Sequence, residues 1–106
     1  MKIYISGKVT GLDPVEARKK FIDAEMKLKQ QGYEVINPYA VNMMLPHDTT
    51  WKQYMDVSII LLNMCDAIYM LSDWLDSPGA MMEYNHAVSA NKKVMFEKKG
   101  ETEDEE

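Results

Sequence analysis

The sequence predicts an α/β sandwich of three layers, a four-stranded parallel sheet with helices on both faces. Three observations predict it. Short β-rich runs alternate with amphipathic helical stretches in the order β-α-β-α-β-α-β, which right-handed crossovers turn into a parallel sheet. The chain has 106 residues, the size of one domain. Its apolar share of 46% is enough for a core and too high for a disordered chain.

The first strand is the run 2–5 (KIYI), followed by the turn GKVTGLD. A helix then opens on full start signals: Asp13 as N-cap, Pro14 at the first helical position and Glu16 at capping-box spacing. Ala17, Phe21, Ala24 and Leu28 recur at steps of four, three and four on one face, and Gly32 ends the helix. Residues 33–36 (YEVI) form the second strand, stopped by Asn37-Pro38, and 38–48 read as a loop.

A second helix runs from Thr50, with Gln53 completing a capping box, to about Met64. Its end, Ile59-Ile60-Leu61-Leu62, is apolar all round, which asks for burial on more than one side, by the sheet and by another subunit. A homo-oligomer is expected. Residues 66–71 (DAIYML) form the third strand, Ser77-Pro78-Gly79 opens a third helix ending near Asn91, and 93–96 (KVMF) form the fourth strand.

Composition removes several classes of function. Net charge is −5, and Glu97–Glu106 carries six acids against two lysines, so the other residues are close to neutral. A domain over residues 1–96 with an acidic, disordered tail over 97–106 is expected. No basic stripe invites a nucleic-acid polymer, although a single nucleotide remains possible. No apolar run reaches the ~18–20 residues of a membrane span, and MKIYISGK lacks the layout of a signal peptide. A cytoplasmic protein without membrane contact is expected. The single cysteine, Cys65, excludes a disulfide framework and a cysteine-based zinc site. Separately, no metal and no cofactor is expected.

In such a sheet, ligands bind beyond the C-terminal ends of the strands, where strand order switches. That brings the loops 6–12, 37–48 and 72–79 together. The first, Gly7-Lys8-Val9-Thr10-Gly11, is neither a dinucleotide fingerprint nor a P-loop, since Val9 stands where Ser or Thr is needed. It remains a small-residue turn with a lysine and a hydroxyl, suited to an anion; its glycines could equally serve geometry alone. In the third loop Ser77 is a good N-cap, and Glu83 has small helical neighbours in Gly79, Ala80 and Ala87. A ligand could approach that carboxylate, though a lone helical glutamate is more often simply solvated. Asp76 and His86 are weaker candidates. Trp51 and Trp74 could line a pocket for a flat ring, or pack. These residues reach a small-molecule site, and no reaction.

Ile3-Tyr4-Ile5-Ser6-Gly7 through Gly11, Cys65-Asp66-Ala67 and Ser77-x-Gly79-x-x-x-Glu83 together resemble the nucleoside 2-deoxyribosyltransferase superfamily. The likeness is to its compact, often phage or bacterial, branch and covers about residues 2–96. It implies a Rossmann-like (flavodoxin-like) sandwich and N-glycosidic chemistry on a 2′-deoxynucleoside or its 5′-monophosphate. Glu83 would be the nucleophile that attacks C1′, Tyr4 would orient it, and water or a second base would resolve the sugar ester.

The resemblance also implies a choice of substrate. The transferases carry aspartate six residues before the glutamate, and the 5′-phosphate N-hydrolases carry serine. This chain has Ser77 there. Gly7, Lys8, Val9, Thr10 and Gly11 are similar to the hydrolases' phosphate-contacting loop, with Asp76, Ser77 and Gly79 completing the expected substrate contacts. A second carboxylate facing phosphate would cost on the order of 1–4 kcal/mol. Three features depart from the pattern. Ser58 stands where an assisting aspartate is implied, with Asp56 on another side of the helix. Asp76, next to Ser77, could take the aspartate's place. The chain ends soon after the fourth strand, where a neighbouring subunit's segment would complete the pocket. A non-catalytic nucleotide-binding module and a mainly structural protein remain the alternatives.

Overall fold

The computed structural model describes residues 1–98. Four parallel strands, β1 (Lys2–Ser6), β2 (Glu34–Ile36), β3 (Ala67–Met70) and β4 (Lys93–Phe96), form one sheet in the order β2-β1-β3-β4. The predicted α/β class holds. The chain leaves β1 for β2 on one side and later places β3 on the other. The topological switch therefore lies between the C-terminal ends of β1 and β3, marked by the paired Ser6 and Met70.

Side-chain alternation along the two central strands divides the core. Ile3 and Ile5 of β1, with Ala67 and Tyr69 of β3, face α1 (Pro14–Gln30) and meet its buried stripe Ala17, Phe21, Ala24 and Leu28. Tyr4, Ile68 and Met70 face the opposite way, toward α3 (Trp51–Asn63) and α4 (Pro78–Ser89), packing with Leu62, Ala80 and Ala87. Each large apolar side chain so buried contributes about 1.5–3 kcal/mol. By the same alternation Ser6, one step beyond Ile5, shares the face of Tyr4.

Three helices open on one device, a side-chain acceptor followed by proline. Asp13 accepts from the amides of Val15 and Glu16 before Pro14, and Ser77 accepts from Ala80 before Pro78. The third case corrects the sequence reading. Asn37-Pro38 does not merely stop β2; it caps a short helix, α2 (Pro38–Asn42), inside the expected loop 38–48. Asn37 accepts from Tyr39 and Ala40, and Tyr39 stacks on Phe21 at 5.8 Å between ring centroids. A 3-10 turn over Trp74–Asp76 likewise lies within the expected loop 72–79. The capping box of Thr50 and Gln53 forms as expected, whereas Asp13 takes its amides without a returning bond to Glu16 among the described residues.

Two expectations concern the surface. Of the apolar run ending α3, Leu62 is buried but Ile60 is 62% exposed in the single chain. Glu97, assigned to the tail, is tied to the end of β3. Its amide donates to the Met70 carbonyl and its carboxylate accepts from the Ser72 amide, both at 2.8 Å. The rest of the expected tail, from 99 onward, lies outside the described residues. Among the described residues no helix is long and apolar enough to cross a membrane.

Candidate functional site

Glu83 sits on the buried face of α4 with Ala80 and Ala87, and only 7% of it is exposed. Those small neighbours leave its carboxylate room to reach the sheet. The Tyr4 hydroxyl donates to Oε2 at 2.8 Å and the Ser6 hydroxyl donates to Oε1 at 2.5 Å. The two donors are two positions apart on β1, so strand alternation alone aims both at one carboxylate. Ser58, buried on α3, adds a further hydrogen-bonding hydroxyl beside this pair. Burial pushes the Glu83 carboxyl above its ordinary range, against the opposing pull of the hydrogen bonds from Ser6, Tyr4 and Ser58. Burial, reinforced by the neighbouring Glu83 charge, holds the Tyr4 phenol well above its ordinary value, so Tyr4 remains a proton-bearing donor.

The carboxylate opens on a cavity of about 500 Å³ beyond the ends of β1 and β3, within the size range of small-molecule sites. The structure brings nine of the ten residues singled out from the sequence around it: Tyr4, Gly7, Lys8, Val9, Thr10, Asp76, Ser77, Gly79 and Glu83. Gly11 is the exception. It takes a left-handed φ of 86° and a side chain there would meet open space, so its role is to turn the chain into α1.

The other glycines of the motif are small for a different reason. A Cβ on Gly7 would lie 2.7 Å from Leu71 Cδ1 and 2.9 Å from Leu71 Cβ, and one on Gly79 would lie 3.2 Å from Met55 Sδ. Gly7 lets the loop close over the end of β3. Gly79 lets α4 approach α3.

The remaining wall is aromatic and apolar, with Phe21, Tyr39, Trp51, Tyr54 and Met55. Trp51 lines the cavity. Trp74 does not, and instead packs against Tyr84 at 4.8 Å and Phe96 at 6.0 Å between centroids. His86 also stands apart, its Nε2 2.7 Å from Asn63 Oδ1. Asp56 is on the outer side of α3, paired with Lys52 at 2.9 Å. Ser6, Asn42 and Tyr54 are polar lining residues that sequence reasoning did not propose as contacts. For Ser6 the signal was present in the two-residue period it shares with Tyr4. Asn42 carries a buried Oδ1 without a hydrogen-bond partner among the described residues. Also among these, no group of three or more His, Cys, Asp or Glu is placed to hold a metal.

The cavity thus combines a buried carboxylate held by hydroxyl donors, one lysine, and flat apolar walls. Such an arrangement can seat a flat ring, with Glu83 facing an electrophilic carbon beside it.

Comparisons with known proteins bear on this arrangement. Residues 1–96 match the family described as domain of unknown function DUF4406. No curated protein matches the sequence. Among solved structures, a 2-deoxyribosyltransferase from the psychrotolerant bacterium Bacillus psychrosaccharolyticus superposes with a TM-score of 0.71 at 18% sequence identity, covering 91% of this chain and 71% of that one. The two share a fold.

Proposed function

The chain belongs to the DUF4406 family, and we propose that it cleaves or transfers the N-glycosidic bond of a 2′-deoxynucleoside or its 5′-monophosphate. The observation that carries this reading is the Glu83 carboxylate, buried at the floor of the cavity with Tyr4 and Ser6 each donating to one oxygen. An isolated buried carboxylate is costly, and a structural role would be met as well by an apolar residue. Two positioned hydroxyls keep the ionised form accessible and fix its direction.

In this mechanism a Glu83 oxygen bonds to C1′ of the sugar as the C1′–N bond breaks. The bonding pair leaves with the base nitrogen, which takes up a proton from solvent. Positive charge develops on the sugar in the transition state, and the adjacent carboxylate stabilises it. Water then attacks C1′ and gives up a proton to solvent, the ester C1′–O bond breaks, and the carboxylate is regenerated; a second base that likewise releases its N–H proton, in place of water, gives transfer. Tyr4 acts as the positioning donor throughout, since its phenol stays protonated.

The aromatic walls, Trp51 and Tyr54 among them, suit a nucleobase, and Lys8 suits the anionic end of a 5′-monophosphate. Asp76, Ser77 and Gly79, together with Gly7, Val9 and Thr10, complete the contacts of this reading. Self-association belongs to it as well, with Ile60 of α3 and Met64 at that helix's C-cap one turn apart and exposed; light scattering in solution decides the stoichiometry.

The test is base release, followed by chromatography, from a panel of 2′-deoxynucleosides and their 5′-monophosphates, with and without a free acceptor base. Release that disappears in Glu83→Ala is expected. One specific observation favours a second reading, a nucleotide-binding module without turnover: Ser58 occupies the place where the family resemblance implies an assisting acid. That reading predicts nucleotide-dependent stabilisation with no base released by the wild-type protein.

A further inference from the structure

The segment from Gly7 to Gly11, whose residues Gly7 to Thr10 line the cavity, has little within itself to fix its shape. A glycine stands at each end, Val9 and Thr10 are exposed, and among the described residues the local backbone bond at this turn is Leu12 N–H to the Val9 carbonyl at 3.2 Å, made from just beyond the segment. What holds it comes from two other elements. The Lys8 amide donates to Asp73 Oδ1 at 3.0 Å, and the Lys8 carbonyl accepts from Lys20 Nζ at 2.6 Å. Lys20 Nζ and Asp73 Oδ2 are themselves paired at 2.5 Å. Three contacts close a ring around one residue.

We propose that Lys20 and Asp73 are positioning residues, a clamp that fixes the Lys8 backbone so that its side chain enters the cavity from a set point. Neither residue lines the cavity, and their side chains are only 23% and 26% exposed, so the clamp works from behind the loop. Asp73 stands at the N-cap position of the 3-10 turn yet makes no side-chain cap there. Its carboxylate serves the neighbouring loop instead. Because Lys20 belongs to α1 and Asp73 to the connection after β3, the ring joins the two lips of the crevice across the topological switch. A loop ordered in advance spends less of a ligand's binding energy on its own ordering. Half-burial strengthens the ion pair relative to a solvated one.

This proposal rests on the cavity being the ligand site, and its test separates the two. Backbone amide exchange is measured on the intact protein and on Lys20→Met, Asp73→Ala and the conservative Lys20→Arg. The Lys8 amide is expected to exchange about tenfold faster or more in the first two variants and to stay protected in Lys20→Arg, with the amides of Ile5 and Tyr69 unchanged. With a 2′-deoxynucleoside 5′-monophosphate as substrate, KM rises in the first two variants and kcat stays within about twofold. Where no base is released, the shift in melting temperature caused by that nucleotide replaces KM, so failure of the enzyme reading leaves the clamp testable. Unaltered exchange at Lys8 overturns the proposal. So does faster exchange spread equally to Ile5 and Tyr69, or a fall in kcat at constant KM.

Discussion

Tyr4 and Glu83, 79 positions apart in the chain, are joined by a 2.8 Å hydrogen bond from phenol to carboxylate at the floor of the cavity. The bond crosses from the central strand to the helix packed on it, and it ties the chemistry of the site to the integrity of the core.

The carboxylate should cost the fold some stability. Burial raises the Glu83 pKa above its ordinary value near 4.5. A carboxyl whose folded-state pKa is raised favours folding below its unfolded pKa and loses that contribution as pH rises through the folded value. At neutral pH the wild type therefore carries the cost of an ionised buried group, and Glu83→Gln is spared it. Glu83→Gln is expected to melt higher at pH 7, by roughly 4–8 °C per kcal/mol relieved, with the difference closing toward pH 4. Calorimetry across that range checks it, and a constant difference would show that ionisation of Glu83 is not the cause.

Turnover should depend on the same ionisation with the opposite sign. In the proposed mechanism Glu83 attacks as the carboxylate, so kcat/KM is expected to rise with pH through a value above 4.5. Tyr4→Phe removes one donor to the charged form, a hydrogen bond worth about 1.5–3 kcal/mol, and should move that acid limb about one unit or more further up. Ser6→Ala should act in the same direction through Oε1. An acid limb that stays in place in both variants would separate these hydroxyls from the ionisation.

Gly7→Ala should be strongly destabilising despite its small size. The added Cβ meets the Leu71 Cβ at 2.9 Å as well as the movable Cδ1 at 2.7 Å, and no rotamer of Leu71 relieves the first contact. A loss of about 1–3 kcal/mol is expected in chemical denaturation, typical of overpacking. Gly11→Ala, where the obstacle is the left-handed backbone and the space is open, should leave the cavity lining intact.

Asn42 offers the cavity a buried acceptor without a partner. A ring bearing an N–H donor at that edge would satisfy it. Asn42→Ala is expected to weaken binding of such a ligand about tenfold, close to 1.4 kcal/mol, and to leave a ligand lacking that donor nearly unaffected. Calorimetric titration of paired ligands decides it; equal losses would assign Asn42 a packing role only.

Much of the site was legible because local signals place its segments and the family resemblance names its residues. Periodicity and caps place the segments that carry Tyr4, the Gly7–Thr10 loop and Glu83, and the family resemblance singled out Tyr4 and Glu83 within them. The short α2 was not read, because Asn37-Pro38 signals a strand's end and a helix's start with the same two residues. Asn42 came with it, since its place on the cavity wall depends on that helix. Lys20 and Asp73 carry no signal in the sequence, since nothing in their spacing links positions 20 and 73.

By itself the sequence determined the order of the elements, the capped helix starts, the buried stripe of α1 and the strand face that Tyr4 shares with Ser6. These follow from interactions between residues a few positions apart, where turn chemistry and side-chain period leave few options. Only the tertiary structure decided that Ser6 and Ser58 meet Glu83, that Trp74 packs away from the cavity, and that Gly7 is required by Leu71. Those outcomes depend on which strands become neighbours and how closely helices approach, quantities set by packing the whole core at once. The pKa of Glu83 belongs with them, because burial is a property of the assembled layers and of no single segment.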